Sequence, residues 1–188
     1  MRAAIWQFAM HTPTHAALNF LVLGRRPDSA RAWILIGAVL PDVPMFGFFL
    51  FERYARHESL RQIFEVLYFE PRWQTLFDAS HSIPLFLMLA WFCWWRGSRG
   101  GFGLAASLLL HALVDWPTHL EDAHAYFWPL WRQSLPGLVS YWHRESLMWV
   151  AEILLICGAV ALWVSERVRK ARGREVPLAI NARTAACP

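Results

Sequence analysis

Eighteen residues from Leu147 to Val164 are apolar but for Glu152, and the run is closed by Arg167, Arg169, Lys170, Arg172 and Arg174. A helix of that length crosses the hydrocarbon of a bilayer. Other runs repeat the theme. Ala32 to Phe51 is apolar but interrupted by Pro41-Asp42-Val43-Pro44, where prolines remove backbone donors and an acid sits at costly depth. Such an interruption inside a span usually lines a protein cavity. Ile83 to Trp95 and Gly100 to Trp116 are separated by Arg96-Gly97-Ser98-Arg99-Gly100 and read as a helical hairpin of marginal length. Ile5 to Leu23 contains His11, Pro13 and His15, stops at Gly24-Arg25-Arg26, and reads as a half-buried helix or a fifth span.

Composition agrees with a lipid setting. Of 188 residues, 56% are hydrophobic and 17% charged, against roughly a quarter charged in soluble domains. A soluble fold of this size has too little interior to hide that apolar surface. The expected fold class is all-α: one polytopic membrane bundle of four to five helices over residues 1–166, broken at Pro41 to Pro44. Residues 167–188 are expected to form a basic, disordered cytoplasmic tail. No removable signal peptide is expected, because no small-residue cleavage site precedes His11-Thr12-Pro13.

The net charge of +4 does not point to nucleic acid, because the basic residues sit in short clusters at the ends of apolar runs and read as topology. Arg25/Arg26/Arg31, Arg96/Arg99 and the cluster after Val164 alternate correctly if all three face the cytoplasm. The C-terminus is then cytoplasmic, and the segments Glu52 to Ser82 and Pro117 to Ser146 lie on the other side. Their aromatics, such as Tyr126 to Trp131 and Tyr141-Trp142, suit interfacial anchoring. Cys93, Cys157 and Cys187 lack CxxC spacing and support neither a disulfide framework nor a thiolate metal site.

With that topology, polar residues in apolar surroundings gather on one side of the membrane. Asp42 lies at the interruption, His81 at the mouth of the next span, His111 and Asp115 in the outer half of the third, and His119 just beyond. His11 and His15 fall at a similar level. His111 and Asp115 are four apart and share a helix face. One such histidine alone reads as a core residue hydrogen-bonded to a helix. Acids and neutral imidazoles gathered at one depth are costly without a cation, and a divalent ion offsets both by accepting their lone pairs. Nitrogen and oxygen donors without thiolate suit zinc, manganese or iron, with zinc preferred here. Glu152 reads as a last ligand, a general base, or a partner that fixes a histidine tautomer. Glu121, Asp122 and His124 read as a solvated turn, His57 as surface, and His143 as interfacial or substrate-facing.

Thr14-His15 ahead of a helix, Gly37-Ala38-Val39-Leu40-Pro41-Asp42, His81-Ser82, and His111-Ala112-Leu113-Val114-Asp115-Trp116-Pro117-Thr118-His119 form an ordered set. In that set the chain resembles the YdjM-like bacterial inner-membrane metal-dependent hydrolases, over roughly His11 to Glu152. The order of donors is also similar to that of the all-helical zinc-dependent phospholipase C and nuclease fold. The resemblance implies metal ligation by His15, Asp42, His81, His111, Asp115 and His119, and phosphoester cleavage. That soluble fold closes its site with His-x-x-x-Glu; here His143 is followed by Arg144 and Glu145, leaving Glu152 as the nearest substitute.

The expected function is therefore a membrane-embedded metal-dependent hydrolase of the inner membrane. Asp115 or Glu152 would act on the attacking water, and the substrate would be a phosphoester or lipid-linked ester reached from membrane lipid at the outer interface. The rival expectations are a non-catalytic metal-binding or metal-transport protein, and a structural bundle whose polar cluster only fixes helix packing.

Overall fold

The computed structural model describes residues 4–24, 28–138 and 146–184, and among them there is no strand. The helices are α1 (Ala4–Leu23), α2 (Asp28–Val39), α3 (Val43–Leu50), α4 (Leu60–Glu65), α5 (Pro71–Ser80), α6 (Ile83–Trp95), α7 (Arg99–Asp115) and α8 (Ser146–Thr184). The fold is all-α, with more helical segments than the four or five expected, because the connection between α3 and α6 is itself folded into α4 and α5. Among the described residues, two stretches are long and apolar enough to cross a membrane: Ala30–Ala55, 26 residues, and Pro71–Trp95, 25 residues. The second is longer than the run Ile83 to Trp95 because α5 extends it at its N-terminal end.

The break expected at Pro41 to Pro44 is milder than a break. Leu40–Asp42 tighten into one 3-10 turn, while Val39, Asp42 and Val43 all keep right-handed helical dihedrals. The prolines fall in the first turns of the 3-10 segment and of α3, where a missing N–H costs little. The chain therefore carries on as helix while the tightened turn holds Asp42.

Local chemistry explains the α6–α7 hairpin. Gly97 takes φ +66°, a left-handed conformation that suits glycine. Its N–H donates to Trp94 O at 3.0 Å and that of Ser98 to Cys93 O at 2.9 Å, the paired bonds of a Schellman stop. Ser98 then caps α7 by accepting from Gly101 N at 3.2 Å.

The helix α7 packs against α1, α2 and α6, and α1 packs against α2 and α8. The α2–α7 approach requires Gly37: a Cβ there would lie 2.6 Å from the Leu104 carbonyl oxygen. One polar knot ties three helices. Asn19 of α1 donates to the Ser107 carbonyl at 2.9 Å and to its hydroxyl at 2.8 Å, and that hydroxyl donates to Ile34 O on α2. All of this is buried, so these hydrogen bonds fix the register of the helices before any ligand is considered.

At the Asp115 end of the bundle, Phe48, Ile63, Tyr68 and Phe77 form a compact apolar cluster beneath α4 and α5. The loop after α7 folds back onto this end. Ile83 N donates to Tyr126 O at 2.8 Å, Ala125 N to Asp78 Oδ1 at 2.8 Å, and Ser82 Oγ to Trp128 O. Within the loop, Gly137 N reaches His119 O at 2.8 Å and Leu135 N reaches His124 O at 3.1 Å.

At the opposite end, Arg31 Nη1 lies 2.7 Å from Glu166 Oε2, so the start of α2 and the basic part of α8 meet. α8 stays helical through Thr184, beyond the 166/167 boundary where a disordered tail was expected. Glu166, Arg167, Arg169, Lys170, Ala171 and Arg172 are all good helix formers, and they carry the helix on.

Candidate metal centre

Each donor is delivered by a different piece of this scaffold. His15 projects from α1, Asp42 from the 3-10 turn after α2, His81 from the end of α5, and His111 and Asp115 from successive turns of α7. His119 follows the short 3-10 segment Trp116–Thr118. All six converge. His15 Nε2 is 3.3 Å and His119 Nε2 3.0 Å from Asp115 Oδ1, while His81 Nε2 is 3.7 Å from Asp115 Oδ2. Asp42 Oδ1 lies 3.4 Å from His111 Nε2 and 3.8 Å from His81 Nε2.

Among the described residues, three donor groups have ligand atoms within 4.8 Å of one another: His15/His111/Asp115, Asp42/His81/His111 and His81/Asp115/His124. The groups overlap through His81, His111 and Asp115. These buried side chains can hold a metal ion, and their overlap gives room for one ion or two neighbours.

The surroundings aim the donors. His111 Nδ1 is 2.8 Å from Ala38 O and His81 Nδ1 is 2.9 Å from Phe77 O, so each carbonyl engages one nitrogen and Nε2 is left for the centre. The Asp122 carboxylate sits 2.9 Å from His119 Nδ1, the carboxylate–histidine arrangement that raises a ligand's basicity. Thr12 Oγ1 donates to Asp42 Oδ2, and the Tyr126 hydroxyl donates to Asp115 Oδ2 at 3.3 Å. Asp115 is thus met by three imidazoles and a phenol.

The rings themselves are crowded. His15 stacks on His111 with centroids 3.9 Å apart, and His81 on His124 at 4.6 Å. Burial together with the neighbouring His81 and His119 pushes His124 down to about 3, which keeps it neutral. Burial opposes the proton on His119, but Asp115 and Asp122 overcome it and lift this histidine well above its usual value. Asp122 is held low against its burial by the same His119.

The residues fit a cation on their own merits. His111 Nε2 and both nitrogens of His124 are buried with no hydrogen-bond partner among the described residues. An orphaned lone pair in a dry site costs about 1–3 kcal/mol, and an ion that accepts it removes that cost.

Two residues read from sequence as a solvated turn belong to this centre instead. Asp122 and His124 are buried, the latter with no exposed surface. His124 Nδ1 also lies 3.8 Å from Asp78 Oδ1, an acid the sequence did not single out. Periodicity carries no sign of their burial, which is imposed by the loop's hydrogen bonds to Asp78, Ser82 and Ile83. The one available hint was the His119-x-x-Asp122-x-His124 spacing, too common in polar loops to decide anything. Glu152 is buried on α8 and joins none of the three donor groups among the described residues. His57 is exposed, as expected, while His143 and the side chain of His11 lie outside the described residues.

Comparison of the chain with protein-family models, with curated proteins and with solved structures returned no match.

Proposed function

We propose that this chain is a membrane-embedded metal-dependent hydrolase, of the kind found among the YdjM-like inner-membrane proteins, that cleaves a phosphoester or lipid-linked ester. Zinc is the preferred ion, held by His15, Asp42, His81, His111, Asp115 and His119, with His124 as a further donor. The observation that carries this reading is the overlap of three donor groups through His81, His111 and Asp115. A purely structural polar cluster has no need of so many converging lone pairs.

The membrane setting is supported by exposure. Only 33% of the apolar window in Ala30–Ala55 and 28% of that in Pro71–Trp95 is buried within the protein, whereas the core helix of a soluble protein is mostly buried. Trp91, Trp94, Trp95 and Met88 stand well exposed on α6. Arg31 of α2 lies at the same end as Glu166 and the basic residues that follow it on α8, in keeping with a cytoplasmic C-terminus. The donors then face the outer interface, where a lipid-linked substrate would arrive.

A bound divalent ion supplies Lewis acidity toward water and toward a phosphoryl or acyl oxygen. The chain's own residues do the rest. Asp115 orients what lies between its two oxygens, with Tyr126 fixing one of them. Asp122 holds the His119 tautomer, and the carbonyls of Ala38 and Phe77 hold those of His111 and His81. Glu152, buried on α8 and outside the three donor groups among the described residues, is assigned a supporting role.

Detergent-purified protein tests the reading through metal analysis and turnover of a panel of phospholipids and phosphoesters. Wild type is expected to hold stoichiometric divalent metal and to turn over at least one ester. His111→Ala and Asp115→Asn are expected to lose both. Absence of metal before and after reloading would overturn the proposal. The near-complete burial of His81, His111 and Asp115 favours a second reading, metal binding or transport without hydrolysis. Tight metal with no turnover across the panel is its signature.

A further inference from the structure

Far from the metal centre, where α1, α2 and α8 meet, lies a cavity of about 430 Å³ whose lining includes Phe20, Leu35, Trp163, Arg31, Arg167 and Lys170 together with the carboxylate of Glu166. A second cavity of about 360 Å³ shares Phe20 and Glu166 and adds Arg169. Both fall in the size range of small-ligand sites. We propose that this pocket binds the headgroup of an anionic phospholipid at the cytoplasmic interface, with an acyl chain laid along Leu35 and Trp163. The proposal rests on the reading of the apolar helices as membrane spans and is independent of the metal.

The charge balance favours an anion. Among the described residues that line the two cavities, Arg31, Arg167, Arg169 and Lys170 stand with one carboxylate, Glu166. Arg31 is preset: its Nε donates to Gly24 O at 2.8 Å, its Nη1 pairs with Glu166 at 2.7 Å, and it lies over the Phe20 ring at 5.9 Å. The Arg167 guanidinium sits 5.2 Å over the Trp163 ring. The Arg167 guanidinium, held flat in this way, offers paired N–H donors to a phosphate diester without first losing its own freedom, while Arg31 adds positive charge beside it.

The apolar side commits the occupant to a lipid. Leu35, Val160, Leu162 and Trp163 are each more than two-fifths exposed and continue from the pocket along the faces of α2 and α8. A soluble phosphate would use the cations and leave that surface in water. Basic pockets between spans on the cytoplasmic side are where phospholipid headgroups lodge.

Native mass spectrometry of the full chain in detergent, titrated with dioleoyl phosphatidylglycerol or dioleoyl phosphatidylcholine, tests this directly. Wild type is expected to retain the glycerol lipid and release the choline lipid. Each cation removed is expected to weaken retention about fivefold, so Arg167→Gln with Lys170→Gln together lowers it about 25-fold. Glu166→Gln, which removes the opposing charge, is expected to tighten it. Helicity by circular dichroism reports the fold of both variants and is expected to stay at the wild-type level. Equal retention of the two lipids, or indifference to all three substitutions, overturns the proposal. Displacement of the lipid by millimolar inorganic phosphate alone overturns the lipid assignment in favour of free phosphate. Release of the protein from bacterial membranes by alkaline carbonate overturns the membrane reading itself, and this proposal with it.

Discussion

Asp122 is where the chemistry of a single side chain is easiest to isolate, because it sits 2.9 Å from a ring nitrogen of His119 that faces away from the other donors. Asp122→Asn keeps the shape and removes the charge. Metal affinity is expected to fall about 10- to 100-fold, as for other partners of ligating histidines, with helicity by circular dichroism unchanged. The same histidine sets a pH dependence. In the folded protein without metal, Asp115 and Asp122 raise the affinity of His119 for its proton above the usual histidine value. That proton must leave for the nitrogen to ligate, so metal affinity should climb as pH rises through the raised pKa. Calorimetric zinc titrations in buffers of different ionisation enthalpy should report release of about one proton from this histidine. Asp42, His111 and Asp115 stood out in the sequence because an ionisable residue inside an apolar run has few affordable explanations, while His15, His81 and His119 were drawn in by a shared expected depth and by the family resemblance. Asp78, Asp122 and His124 were not, because their surroundings in the sequence are ordinary for a loop.

Among the elements, the α2–α7 contact places Asp42 opposite His111. Gly37 stands at its tightest point, where a methyl group would strike the Leu104 carbonyl rather than a side chain that can swing away. Gly37→Ala should therefore separate the helices, costing about 1–3 kcal/mol. It should also reduce metal retention despite touching no donor. Thermal unfolding in detergent and metal content, measured together, check both. The α6–α7 hairpin was readable in advance because Gly97 and Ser98 are the residues that a stop followed by a cap demands. The interruption at Pro41 to Pro44 was overread: proline weighs against helix interiors, and here both prolines occupy first-turn positions. α4 and α5 were missed because they are short and owe their place to the Phe48–Tyr68–Phe77 cluster, which joins residues distant in the chain.

At the scale of the molecule, helical class followed from the length and purity of the apolar runs. The closing of one end by the loop after α7 did not, since loops are positioned by contacts that sequence patterns do not encode. If the exposed apolar faces meet lipid, the protein should remain in the pellet after alkaline carbonate washing. A reporter fused after Pro188 should be active only when it functions in the cytoplasm.

The donors are spread from His15 in the first helix to His124 near the last, and no helix carries enough of them to grip an ion alone. If the chain enters the membrane and holds an ion as proposed, biosynthesis inherits a fixed order from this. A nascent chain would hold only fragments of the coordination sphere, so the ion would be captured only after the final loop had been made and folded over. Assembly and metal loading would then be one event, and a truncated product should emerge unable to sequester metal from the cell.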